Sequence, residues 1–281
     1  MSRLIFIETS TSLCSAALSE NDRIVTVRRS SEPRAHASLT AVFVKEMLDE
    51  AGWMVRDLDA VCVSKGPGSY TGLRVGVSTA KGLCFGGGVP LISVDTLEIL
   101  THQAIEAGLP EGCKAILPMV DARRMEVYTA PYSPTGERLG DIAPVVLDSN
   151  SFADLFASGP VVVIGDAAEK FAALFGMGAS PWRTCPPPDT GRGRGPSQMG
   201  GAVVSEMRGP RKSGICGVHE ANGVPPEAGL QCQRFVQCCP EATAMLVPAM
   251  AKFAKKEFED VAYFEPFYLK QFIATTPKKL F

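Results

Sequence analysis

A chain of 281 residues with 46% hydrophobic content is long enough to bury a substantial core and to divide into two lobes. Its formal net charge of −2 provides no global basic field, which argues against tight autonomous binding of RNA or DNA. No stretch approaches the roughly 20 apolar residues of a membrane span; the opening Met1 to Glu8 is too short an apolar run for a secretory signal, and nine cysteines without such a signal read as reduced thiols of a cytoplasmic protein.

Leu4 to Ile7 is a continuous apolar run, the pattern of a strand covered on both faces. After the polar turn Thr9-Ser10-Thr11-Ser12, the segments Leu13 to Leu18 and Arg23 to Val27 read as two further strands joined at Glu20-Asn21-Asp22. Leu39, Val42, Phe43, Met47 and Ala51 recur at helical spacing and stop at Gly52, which predicts a helix over 36–51. The strand Ala60 to Val63 then runs into Ser64-Lys65-Gly66-Pro67-Gly68-Ser69-Tyr70-Thr71-Gly72-Leu73-Arg74. Glycines 66, 68 and 72 permit backbone angles or close approaches that a Cβ forbids, and Pro67 stiffens the turn. Ser69 or Thr71 can cap the helix that follows, whose first-turn N–H groups suit an anion or another chain's acceptors. The spacing is neither a Walker loop nor a Rossmann fingerprint, and a tight turn without a ligand is the alternative. That helix runs to Gly86-Gly87-Gly88, a strand covers Pro90 to Val94, and Asp95-Thr96-Leu97-Glu98 has capping-box spacing for a helix to about Ala107. Residues 1–107 thus form a mixed-sheet α/β lobe.

A second lobe, 108–178 completed by 234–281, repeats the plan. Ala115 to Val120, Met125 to Tyr132 and Ile142 to Leu147 are strands, followed by a helix from Ser151, the strand Val161 to Gly165 and a helix from Ala167 to Phe175. Near the end, Met245, Ala249, Phe253 and Lys256 to Phe258 continue a helix for which Pro240 stands at the first position, and Pro248 either kinks it or marks its true start. Phe267, Tyr268 and Phe272 are aromatic anchors that dock the tail on the first lobe.

Four blocks in order make the chain resemble the TsaB (YeaZ) family of the sugar-kinase/Hsp70/actin-like superfamily. They are Ile7 to Leu18, Ser64 to Leu83, Asp121-Ala122-Arg123-Arg124-Met125-Glu126-Val127-Tyr128, and Tyr263-Phe264-Glu265-Pro266-Phe267-Tyr268-Leu269-Lys270. The resemblance covers about 1–175 and 234–281, and the last block is most similar to members from the Bacteroidetes group. It implies a two-lobed actin-like, ribonuclease-H-like α/β fold with mixed sheets flanked by helices. It also implies a non-catalytic role in making threonylcarbamoyladenosine at position 37 of tRNAs that read codons starting with A. The partners implied are the catalytic subunit TsaD and the ATPase TsaE, with tRNA met only through the complex, and a homodimer where TsaD is missing. No membrane partner and no tightly bound cofactor are implied, and ATP or ADP belongs at a subunit interface.

The residues agree with that role on chemical grounds. His36 is followed one turn later by Thr40, so two-histidine metal ligation is missing and no metal or catalytic residue is assigned. The hydroxyl-rich turn with Thr9 and Ser10, and Gly165-Asp166 in the second lobe, are the weak candidates for nucleotide binding. Asp121 could hold a metal-bound water, with Arg123 and Arg124 competing as ion-pair partners. The helix over 72–84 is apolar around most of its surface and rich in small residues, so one face can serve the core and the other a partner. Gly68, Tyr70, Thr71, Gly72, Leu73, Arg74, Gly76 and Lys81 are the expected interface, and burial of both faces inside the monomer is the competing expectation. An enzyme in its own right, a nucleotide hydrolase or a metallopeptidase, is the other functional class, and it requires a phosphate loop or a metal triad.

One segment breaks the pattern. From 179 to 233 the chain turns Gly/Pro-rich and loses apolar periodicity, as in Pro186-Pro187-Pro188-Asp189-Thr190-Gly191, which reads as disorder, either an inserted loop or a frame-shifted stretch of coding sequence. The spacing of Cys216, His219, Cys232, Cys238 and Cys239 fits no zinc knuckle or finger.

Overall fold

In the computed structural model, residues 1–181 and 233–269 are described. The 179–233 reading therefore falls almost wholly outside the described residues, as do Cys216, His219, Cys232 and Phe272.

Strands β1 (Arg3–Glu8), β2 (Cys14–Glu20) and β3 (Arg23–Ser30) make an antiparallel meander. Strands β4 (Ala60–Gly66) and β5 (Leu91–Asp95) extend it in parallel on the far side of β1, giving the order β3-β2-β1-β4-β5. The alternation of β1 sets the two core faces. Ile5 and Ile7 pack with Phe43 and Met47 of helix α1 (His36–Ala51) and with Val77 and Ala80 of helix α2 (Tyr70–Gly87). Leu4 and Phe6 face the other way, toward Ile92, Ile99 and the returning chain.

The second sheet repeats this arrangement. Strands β6 (Ala115–Asp121), β7 (Glu126–Thr129) and β8 (Ala143–Val146) form the meander. Strand β9 (Val161–Gly165) lies parallel to β6, and β11 (Arg234–Gln237) follows it, with the short β10 (Ser180–Pro181) at the edge. Short helices α4 (Ala153–Ala157) and α5 (Ala168–Ala172) cover one face through a cluster of Phe156, Phe171, Phe175 and Phe235. Helix α3 (Thr96–Glu106) covers the other face with Leu97, Leu100 and Ala104 against Ile116, Val120, Val162 and Ile164. Because Ile99 of the same helix packs into the first lobe, α3 lies between the sheets. Two sheets sharing one strand plan, each flanked by helices, make the two-lobed actin-like fold.

Three details differ from the sequence reading. Among the described residues of 234–281 only β11 pairs with the second sheet. Ala242, Ala244, Met245 and Ala249, from a 3-10 turn and helix α6 (Leu246–Lys255), form an apolar stripe that covers Leu4, Phe6 and Ile92 of the first. Helix α6 starts two residues before Pro248, where a missing N–H costs nothing, and it stops before the expected Phe258 because Lys256 turns left-handed at φ 56°. Asp95 precedes α3 but does not cap it, since its carboxylate is engaged by Lys65 at 3.5 Å and Arg138 at 3.8 Å.

Helix α2 lies unusually close to β1. A Cβ on Gly72 would stand 2.0 Å from the Thr9 carbonyl oxygen and one on Gly76 2.2 Å from Thr9 Oγ1, whereas one on Gly82 would meet nothing within 4 Å. Two substitutions in one helix therefore have opposite signs. Gly72→Ala is expected to cost about 3 kcal/mol, and Gly82→Ala to add about 0.5–1 kcal/mol, both read from urea unfolding midpoints.

Candidate functional site

The head of α2 and the β1–β2 turn are built as one unit. Ser69, one of the two residues the sequence offers as a cap, caps the helix by accepting from Gly72 N–H. Its own N–H donates to the Ser10 carbonyl at 2.6 Å, while Thr9 Oγ1 donates to the Gly72 carbonyl at 2.9 Å. A Cβ on Gly68 would fall 2.3 Å from the Ser10 oxygen. Gly68, Gly72 and Gly76 thus serve close approach within the chain, and Leu73 is buried in the core. Gly72, Leu73 and Gly76 are buried while Gly68 is half-buried at the cleft, so the small residues of the helix admit the chain's own strand and turn.

Lys81 is also engaged internally. Its Nζ donates to the carbonyls of Ala262 and Phe264 at 3.0 and 3.1 Å, anchoring a C-terminal strap. The strap joins β5 through Glu259 N–H to the Leu91 carbonyl and then donates Phe267 N–H to the Lys65 carbonyl, as expected for a tail docking on the first lobe. Tyr268 closes on Tyr70 with ring centroids 4.7 Å apart, and the Arg74 guanidinium lies 5.6 Å from the Tyr70 ring. The outward stripe of α2 is therefore Thr71, Arg74, Ser78, Gly82 and Phe85, with Phe85 89% exposed. Sequence reasoning named Thr71 and Arg74 but missed Phe85, whose signal is an aromatic in register with Arg74 along the i, i+4, i+8, i+11 stripe.

Across a cleft of about 900 Å³ stands the matching turn of the second lobe. Asp121 N–H donates to Asp166 Oδ1 at 2.8 Å, and burial pushes the Asp166 carboxyl up to about 6. The Asp121 carboxylate accepts from Arg123 N–H and from Lys170 Nζ, each at 2.7 Å, and Lys170 donates further to the carbonyls of Arg124 and Glu126. The expected competition from the Arg123 and Arg124 side chains is thus replaced by Lys170. Both arginines have left-handed backbones, at φ 74° and 52°, and their side chains are exposed. Of the four weak nucleotide candidates, Ser10 and Asp166 line the cleft. Thr9 turns to Gly72, and Gly165, at φ 137°, serves close packing on the Met119 carbonyl. His36 also lines the cleft, and its carbonyl accepts the hydroxyl of Thr40 at 2.6 Å.

Under the first turn lies Glu8, fully buried, whose Oε1 accepts from Ser10 N–H at 2.5 Å. Burial pushes its carboxyl up to about 7, against the pull of hydrogen bonds from the Ser10 hydroxyl and N–H and the Ser64 hydroxyl.

The fold and the paired turns place the chain among two-lobed actin-like proteins, and comparisons narrow the group. Residues 30–179 match the family described as TsaD: tRNA N6-adenosine threonylcarbamoyltransferase. The chain is 36% identical over 130 residues to the tRNA threonylcarbamoyladenosine biosynthesis protein TsaB of Escherichia coli, covering 46% of this chain and 54% of that protein. It is 32% identical over 179 residues to an uncharacterized protein of Mycobacterium tuberculosis, covering 63% of this chain and 77% of the relative. YeaZ from Pseudomonas aeruginosa superposes with a TM-score of 0.65 at 22% identity, over 96% of this chain and 100% of that one. The chain belongs to the TsaB/YeaZ family. In sequence it spans about half the length of the first curated relatives it matches, 54% and 51%.

The buried carboxylate makes stability depend on pH in a defined direction. Glu8 keeps its proton in the fold up to about pH 7 but loses it from about pH 4.5 when unfolded, so its cost is absent below 4.5, grows as the pH rises and is complete above 7. The stability of Glu8→Gln relative to wild type is expected to rise by about 3 kcal/mol across that window. Chemical denaturation of both proteins at a series of pH values measures it, and parallel curves would refute the assignment.

Proposed function

We propose that this chain is the non-catalytic scaffold subunit of a complex that installs threonylcarbamoyl on N6 of adenosine 37 in tRNAs reading codons that start with A. It dimerises with the catalytic subunit TsaD and helps recruit the ATPase TsaE in the cytoplasm, while tRNA reaches it through the complex. It holds no cofactor tightly, and ATP or ADP is expected where subunits meet. The names of the E. coli and Bacillus subtilis relatives support the pathway.

The observation that carries the scaffold reading is the outward stripe of α2. An 89% exposed phenylalanine beside Ser78, Gly82 and Arg74 is an apolar anchor on a narrow surface that a partner helix can approach closely. The inner face of the same helix is saturated by the chain's own β1–β2 turn, which leaves the outer stripe for a partner.

Co-purification with TsaD of the same organism tests this. Wild type is expected to form a stable complex, and the Arg74→Glu/Phe85→Asp double variant to fold normally yet bind about 100-fold more weakly. Gly72 and Leu73 are unsuitable test positions because changes there damage the core. A wild-type chain that forms no complex but hydrolyses nucleotide or peptide alone would establish the enzyme class instead.

A further inference from the structure

Cys238 and Cys239 stand side by side where the chain crosses from β11 back to the first lobe, and the scaffold role uses neither. Both are free and half-buried. Of the other described cysteines, Cys14, Cys62 and Cys84 are buried, and Cys113 is half-buried with its thiol on the Ala115 carbonyl at 3.4 Å. No other two cysteines are adjacent in the sequence. Cys239 Sγ lies 3.4 Å from the hydroxyl of the exposed Ser12 in the β1–β2 turn, so the pair is reached from solvent on that side.

The surrounding backbone decides what two such thiols can do. Cys238 N–H donates to the Gly165 carbonyl at 3.2 Å, and Gln103 donates to the Cys239 carbonyl at 3.1 Å while accepting from Glu241 N–H at 2.9 Å. The peptide between the cysteines is trans, which sets their Cα atoms about 3.8 Å apart, below the roughly 4.4 Å at which disulfides usually begin. Closing an S–S bond here would twist a backbone that is held on both sides. A bridging atom asks less, because each sulfur need only reach the bridge. Zinc in a structural site takes four ligands, and among the described residues no cluster of three or more His, Cys, Asp or Glu could hold a metal ion. Charge narrows the choice further. Burial pushes both thiols up, and the charge of Asp166 on both and of Glu241 on Cys238 acts in the same direction. A metal ion bound as a dithiolate requires both sulfurs as anions, whereas trivalent arsenic joined to two sulfurs gives a neutral product.

We propose that Cys238 and Cys239 form a dithiol site for trivalent arsenicals, chelating one arsenic atom through both sulfurs. With a monosubstituted arsonous acid, two As–S bonds form and two As–OH bonds break. Each thiol proton leaves with a hydroxide as water, and arsenic stays trivalent, so no oxidant or reductant takes part. The match is of soft sulfur with a soft acceptor. The site goes beyond the scaffold reading and does not rest on it, because it uses no residue of the outward stripe of α2.

Treatment of the reduced full chain with one equivalent of phenylarsine oxide, which hydrates to such an acid, tests the proposal by mass spectrometry. Wild type is expected to keep one phenylarsenic group through a wash with excess mercaptoethanol, because a monothiol competes poorly with a chelate, and to give it up to dimercaptopropanol. Peptide mapping should place the group on Cys238 and Cys239. Cys238→Ala and Cys239→Ser should each retain at least about tenfold less label, and Cys113→Ser as much as wild type. Cys239→Ser keeps a hydroxyl for Ser12, so it decides the matter should Cys238→Ala fail to fold, and the mapping on wild type requires no variant. Absence of retained label overturns the site, as does label mapped to other cysteines or full retention in folded Cys239→Ser. Loss of the TsaD complex in the co-purification would leave this result unaffected, so the two readings fail separately.

Discussion

The close approach of α2 to the β1–β2 turn is the constraint on which the first lobe depends. Thr9 sits between them, its carbonyl and hydroxyl occupying the space where side chains on Gly72 and Gly76 would lie. This contact fixes the helix against β1, the strand at the centre of the sheet, and lets Val77 and Ala80 reach the core beneath. It also decides which side of α2 is left over. A helix that is apolar or small on most of its surface has no evident outside; the close contact assigns the inner face and leaves Thr71, Arg74, Ser78, Gly82 and Phe85 to solvent.

Much of this was legible in the sequence because strands buried on both faces and helices that end at glycine leave strong local patterns. The helix over 36–51 matches α1, and the strand Val161 to Gly165 matches β9, residue for residue. The repeated lobe was legible from element order, although the halves share no visible identity. Partner choice was not legible. Nothing local distinguishes a glycine that admits a second chain from one that admits the chain's own turn, because the close approach joins Thr9 and Gly72 across 63 positions. Lys81 is a similar case, since its partners lie 181 and 183 residues away. Asp95 obeyed the spacing of a capping box but was drawn off by Lys65 and Arg138, a tertiary pairing that outweighs a local preference.

The position of one lobe against the other rests on a different set of contacts. Helix α3 is buried on both sides, with Ile99 in the first lobe and Leu97, Leu100 and Ala104 in the second. Where the chain crosses back after β11, Gln103 of that helix donates to the Cys239 carbonyl and accepts from Glu241 N–H. Ser15 Oγ accepts from Ala242 N–H, and Arg29 pairs with the buried Glu241 at 2.7 Å. Removing one partner of a buried ion pair leaves an uncompensated charge, so the pair holds the crossing in place even where its net contribution to stability is small.

A protein that works by closing its lobes needs a crossing that can flex, with few packed side chains and backbone groups open to solvent. This crossing has the opposite character: it is bonded to β2, β3 and α3 together, while α3 itself is held in two cores. The separation of Ser10 and Thr11 from Asp121 and Asp166 is accordingly set by packing.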